Sequence, residues 1–164
     1  MDNFYEQFVQ TVESKVYKAT KIGIVIAVLM ALFYLFIMRF IFALFPAILA
    51  VLLFILKKRL YIEYEYEFTN GEIDIDRILD KKKRTRAFSF NIRDVQLMGP
   101  LDSDEIKNYK EEIVKELDLY PSGTDKKVYT AMLTNGAVKV RVNFVPDEEF
   151  VDLCFKRNPR AVKK

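Results

Sequence analysis

The chain has 164 residues, 51% hydrophobic and 30% charged, with a formal net charge of +3, which is too slight to point to a nucleic-acid partner. Histidine is absent, so the commonest general base and metal ligand are missing. Its single cysteine, Cys154, has no intrachain disulfide partner and suits a reducing compartment.

In the first 21 residues, Phe4, Tyr5, Phe8, Val9, Val12, Val16 and Tyr17 recur at three-to-four spacing opposite Asp2, Glu6, Gln7, Gln10 and Glu13. This spacing predicts an amphipathic helix over 1–21, lying along the inner leaflet or packed on the soluble domain. From Ile22 to Leu56 only Arg39 is charged. As one helix, that run would reach roughly 52 Å, well beyond a hydrocarbon slab of ~30 Å. It divides instead into 22–38 and 40–56, two spans of about 25 Å each. Arg39 then falls at the turn among headgroups, where its insertion cost of roughly 2.5–3.5 kcal/mol largely disappears. Pro46 either opens the second helix or kinks it. The run is too long for a secretory signal, and acids precede it.

Lys15, Lys18 and Lys21 precede the first span, and Lys57, Lys58 and Arg59 follow the second. The positive-inside rule therefore expects a cytoplasmic-membrane protein with both termini and the soluble domain in the cytoplasm.

After Arg59 the period changes to two. In LYIEYEYEFT (60–69), Ile62, Tyr64, Tyr66 and Phe68 point one way and Glu63, Glu65 and Glu67 the other. Asn70-Gly71 makes a two-residue turn, and EIDIDRIL (72–79) returns. That register sets Phe68 against Ile73 and Tyr66 against Ile75, but also Glu67 against Asp74 and Glu65 against Asp76, which is unfavourable. Lysines or arginines of a neighbouring strand or loop can offset the repulsion, as could a basic partner or a divalent cation. RAFSFNI (86–92) and VQLMG (95–99) read as further strands. Residues 102–117 read as a helix behind Asp102 or Ser103, and LDLY (117–120) as a possible strand. VYTAMLT (128–134), Asn135-Gly136 and AVKVRVNFV (137–145) form a closing hairpin. Pro146-Asp147 opens a last helix that buries Phe150, Leu153 and Cys154, followed by a basic tail at 158–164.

Enzyme readings find no support. Cys154 lies on an apolar helical face, the five glycines form no phosphate-cradling loop, and Asp74 and Asp76 alternate on an exposed strand. No cofactor, metal or small-molecule substrate is expected. If strand 60–69 leaves the membrane and 72–79 returns to it, DKKKRTR (80–86) comes back beside the bilayer. Lys57, Lys58, Arg59, Lys81, Lys82, Lys83, Arg84 and Arg86 are then candidate lipid-binding residues, each contributing about 1 kcal/mol near anionic headgroups.

The segments YEYEFTNGEIDI, FSFNIRDVQLM and VNFVPDEEFVDLCF, placed after a two-span hairpin, give the chain a pattern that resembles bacterial membrane-anchored PH-like (pleckstrin-homology-like) proteins, most of all the small two-span clostridial ones. The resemblance implies an α+β fold: a transmembrane hairpin at 22–56, then at 60–157 a small antiparallel barrel or sheet domain plugged by its C-terminal helix. It implies a binding or scaffolding role and no chemistry; with the basic residues near the bilayer, the expected contact is acidic lipid or a protein partner. The alternative is a structural accessory subunit of a membrane complex.

Overall fold

The computed structural model describes residues 4–11, 14–79, 82–109, 113–136 and 138–164, without the side chains of Arg59 and Asn135. Two apolar helices, α1 (Lys15–Phe36) and α2 (Phe40–Leu60), form the hairpin. Ser14 caps α1 by accepting from the Tyr17 N–H at 3.1 Å. The turn is made by Met38 in the left-handed region (φ 56°) and by Arg39, which caps α2 with no side-chain bond. The helices touch through small residues. Thr20, Ala27 and Ala43 are buried, and a Cβ on Gly23 would lie 3.2 Å from Leu53 Cδ1. Pro46 falls inside α2 and does not open it. Lys15–Phe36 and Phe40–Lys58 are each long and apolar enough to cross a membrane, and their outward faces carry large apolar side chains such as Phe36, Ile41 and Phe45.

The remaining chain builds two four-stranded sheets. The first runs β1 (Phe4–Val9), β2 (Ile62–Thr69), β3 (Glu72–Leu79), β4 (Lys83–Asn91), all antiparallel. A single 3₁₀ turn, Ile92–Asp94, carries the chain into the second sheet, ordered β5 (Val95–Pro100), β7 (Tyr129–Asn135), β8 (Val138–Phe144), β6 (Lys115–Asp118). A short α3 (Asp104–Lys107) follows β5, and α4 (Glu148–Arg157) closes the core. A helical hairpin followed by antiparallel sheets and a closing helix is the arrangement expected from the sequence.

The inner faces meet around Tyr66, Phe68, Ile73, Ile75, Val142 and Phe144, all fully buried. Phe150 of α4 stands edge-on to Phe68, Phe144, Tyr66 and Tyr5, with ring centroids 5.9–6.3 Å apart. Tyr66 joins the sheets, its hydroxyl donating to Leu119 O at 2.7 Å and accepting from the Val145 N–H at 3.3 Å. Residues 158–164 are docked as well as basic. Met98 N–H donates to Ala161 O, and Lys163 N–H donates to Met98 O, so the tail covers the edge of β5.

Two expected helices are corrected. Residues 4–9 of the expected 1–21 helix are strand β1, and helix begins only at Lys15. Phe4, Tyr5, Phe8 and Val9 fit either period, and tertiary bonds decide between them. Gln7 Nε2 donates to Val145 O, the Asp147 N–H donates to Gln7 Oε1, both at 2.9 Å, and the Tyr5 hydroxyl donates to Asp147 at 2.7 Å. Of the expected 102–117 helix, only α3 survives, behind the Ser103 cap, and residues 110–112 lie outside the described ones. Its end becomes β6, parallel to β8, because buried Asn143 donates through Nδ2 to Glu116 at 2.9 Å and Asp118 at 2.7 Å.

Candidate membrane-proximal functional site

The register gathers the site. Ile62, two residues beyond the end of α2, pairs with Leu79, and Leu79 pairs with Lys83, so the β3–β4 turn shares one end of the sheet with the base of the hairpin. That base is tied down twice. The Tyr17 and Tyr61 rings lie 5.1 Å apart, and the Thr11 hydroxyl donates to Ile62 O.

The candidate basic residues divide into two groups. Lys57 and Lys58 occupy the last turns of α2, with Lys58 Nζ 4.6 Å above the Phe54 ring. Lys82 is in the turn and Lys83 opens β4, both exposed. Arg59 continues the helix, its side chain outside the described ones, and Lys81 is outside the described residues altogether. Arg84 and Arg86 are engaged elsewhere. Arg84 bridges Glu65 at 3.0 Å, Glu67 at 3.9 Å and Asp76, and Arg86 bridges Asp74 and Asp76. These arginines therefore offset the acid-on-acid pairing across β2 and β3, as a neighbouring strand could.

A bulge makes this possible. Between Ile75 and Asp76 the β3–β4 register shifts, so Phe88 faces Ile75 inside while Arg86 faces Asp76 outside, with Ala87 as the extra residue. Strict alternation back from Phe88 would have turned both arginines inward. The outer face is a closed charge network. Glu63, Glu65 and Asp76 are 3–6% exposed, and Glu63 accepts from the Tyr61 hydroxyl at 2.8 Å. Burial, helped by a hydrogen bond with Glu6, raises the Glu65 carboxyl to about 7. Burial also pushes Asp76 upward, but hydrogen bonds from Arg84 and Arg86 outweigh it and hold that carboxyl below its ordinary value.

Sequence reasoning passed over the inner face at this end, where the hairpin register puts Arg77 beside Tyr64 and Leu79 beside Ile62, and the bulge sets them against Thr85 and Lys83. Arg77 is exposed and, among the described residues, has no ion pair. Tyr64 also lines a cavity of about 170 Å³ that opens between Leu60, Ile62 and Tyr64 and the loop Tyr120–Ser122. The only positional signal was Arg77 on the apolar alternation of β3.

Cys154 is fully buried, and its thiol is pushed up to about 12 by that burial. Among the described residues no group of three Cys, Asp or Glu side chains is arranged to hold a metal ion.

No curated protein and no solved structure matches the chain. One family model, described as Bacterial PH-like domain (DUF6106), matches residues 1–164, and the chain belongs to that family.

Proposed function

We propose that the protein is a non-enzymatic, membrane-anchored binding and scaffolding module whose PH-like domain lies on the cytoplasmic face of the cytoplasmic membrane, contacting acidic lipid or a protein partner. PH-like domains serve in general as binding or scaffold modules and are generally non-catalytic. The observation that carries the reading is the place of the hairpin: α1 and α2 are inserted between β1 and β2, which are hydrogen-bonded neighbours. Two paired strands on either side of the anchor need an even number of crossings, and they hold the domain close to the bilayer on two tethers. The basic flanks favour the cytoplasmic side. On this reading Lys57, Lys58, Arg59, Lys81, Lys82 and Lys83 face the leaflet, while Arg84 and Arg86 serve the fold first.

The test uses the full chain with Lys82→Cys carrying an environment-sensitive fluorophore, since Cys154 is buried and will not label. In nanodiscs of phosphatidylglycerol with phosphatidylcholine, lipid-borne quenchers should reach the label at low salt and lose it as salt rises. Equal quenching in neutral discs at all salt concentrations would remove the acidic-lipid version. The accessory-subunit reading is supported by Phe4 and Phe8, 58% and 46% exposed on the outer face of edge strand β1. It requires a stoichiometric partner after gentle extraction, and a monodisperse lone protomer would count against it.

A further inference from the structure

The first sheet ends at β1. Among the described residues the backbone of Phe4–Val9 pairs with β2 and with no other backbone group. An uncovered strand edge is a template for a further strand unless charge or proline guards it. On the outer face of β1, Phe4, Glu6 and Phe8 are all exposed, and Glu6 is the only charge. On the inner face, Tyr5 and Gln7 are fastened to Val145 and Asp147, so the edge is held in extended form before anything meets it.

Across the sheet the outer side chains fall in rows. One runs Phe8, Glu65, Asp76, Arg86 from β1 to β4, and the next runs Glu6, Glu67, Asp74, Ser89. The charge network is completed from one side only: its arginines stand on β4, while β1 and β2 contain no lysine or arginine. Arg86 reaches back to Asp74 at 2.5 Å, but Arg84 comes no closer than 3.9 Å to Glu67. Glu6 lies furthest from β4 and directly opposite Glu67, a like-charge pair. The excess is felt in the neighbouring row, where burial, a hydrogen bond with Glu6 and the charges of Glu6 and Asp76 raise the Glu65 carboxyl against the pull of Arg84.

We propose that the β1 edge takes an extended segment of a partner protein as an added strand, with a lysine or arginine opposite Glu6 and apolar residues opposite Phe4 and Phe8. Backbone pairing supplies affinity, and the alternation apolar, basic, apolar on one face of the segment supplies specificity. The partner's cation completes from the β1 side the acid row that the β4 arginines leave short. The inference rests on the reading of the chain as a binding module and names its partner's chemistry, and it does not depend on the lysines facing the leaflet.

The probe is a capped, fluorescein-labelled peptide, Ser-Thr-Phe-Thr-Lys-Thr-Phe-Thr-Ser, and fluorescence anisotropy reads its binding to the full chain in neutral phosphatidylcholine nanodiscs. Wild type should bind it. Exchanging the peptide's lysine for glutamate should weaken binding about tenfold, because like charges then meet at Glu6 and Glu67. Methylating its central backbone nitrogens, which keeps the side chains and removes the strand donors, should abolish binding. Phe4→Ala/Phe8→Ala should weaken binding about tenfold, with an unchanged urea midpoint since both rings are exposed. Glu6→Gln should weaken it about threefold. Lys82→Ala/Lys83→Ala should bind as wild type does. No binding by wild type, equal binding of the lysine and glutamate peptides, or equal binding of the methylated peptide would each overturn the inference, and the label at Lys82 would still judge the leaflet reading by itself. Loss in the lysine variant with the phenylalanine variant unaffected would move the contact to the lysines and overturn it too. A wild-type dimer in mild detergent that falls apart in Phe4→Ala/Phe8→Ala would assign the edge to a second copy and overturn the separate partner.

Discussion

Lys82 and Lys83 lie next to Arg84 and Arg86 in one basic run, yet the fold treats them as different materials. The lysines stand at the turn and the strand opening, exposed, while the arginines reach from β4 to four carboxylates on β2 and β3. Charge in a sequence is therefore not yet charge available to a partner; strand register decides which cations are left over. The arginine fork also suits the buried end, because it can hold two carboxylates at fixed geometry where an ammonium cannot.

The largest expected effect breaks the arginine half. Arg84→Ala/Arg86→Ala strands Asp76, 5% exposed, beside Glu65 and Asp74 with no counter-charge. Removing the partners of a buried carboxylate costs about 3–5 kcal/mol, and since both arginines are about half exposed the double variant should lose about 3 kcal/mol. Urea unfolding of the full chain in detergent, followed by near-ultraviolet circular dichroism of its tyrosines, measures this. A loss below about 1 kcal/mol would mean that the network is only a surface decoration.

That network shows where the sequence was legible. The alternation of Tyr64, Tyr66 and Phe68 with Ile73 and Ile75, and the Asn70-Gly71 turn, announce the register of β2 on β3 and with it the stacked acids. Both closing elements, the β7–β8 hairpin and α4, are equally plain because their local pattern and tertiary role agree. The bulge at Ala87 has no local signature, and it alone turns the arginines outward. Nor does β1: Gln7 becomes a strand residue only because Val145 and Asp147, far along the chain, offer it partners. The start of β6 was hidden for the same reason: Lys115 and Glu116 read as the end of a helix, and only LDLY (117–120) as a possible strand.

The next effect sharpens the contrast within the acidic face. Glu65 has its carboxyl raised to about 7, so between its ordinary value and 7 the folded chain holds a proton that the unfolded chain releases. Its contribution to stability therefore declines as pH rises through roughly 4.5 to 7. Asp76 is shifted the other way, and its contribution is lost only as pH falls below the ordinary carboxylate range. Glu65→Gln should flatten the decline and, at pH 8, gain about 1–2 kcal/mol, less than the full shift implies because its bridge to Arg84 goes too. Unfolding free energy measured at pH 5, 6, 7 and 8 for both proteins checks the slope. An unchanged slope would place the proton elsewhere.

A smaller effect concerns the strand that brings Glu6 to Glu65. Gln7→Ala leaves Val145 O and the Asp147 N–H without their bonds, and should cost about 1–2 kcal/mol. Hydrogen exchange should show β1 opening first, ahead of β2. If β2 exchanges together with β1, the tethers on the two sides of the membrane hairpin are one cooperative unit.

The smallest stability effect belongs to the lysine half. Lys82→Ala/Lys83→Ala removes two exposed side chains, neither of which carries an ion pair among the described residues, so urea unfolding should shift by less than about 0.5 kcal/mol. Leaflet contact should weaken instead, because each lysine near an anionic surface contributes about 1 kcal/mol, and an anchored domain converts such weak contacts into occupancy through its high effective concentration. Quenching of a label on Thr85→Cys, two residues along β4 from Lys83, reports this without occupying either lysine position. A double variant that unfolds like the arginine pair would show that the run acts as one structural block. One that folds normally but loses its salt-sensitive contact assigns folding to the arginines and membrane contact to the lysines.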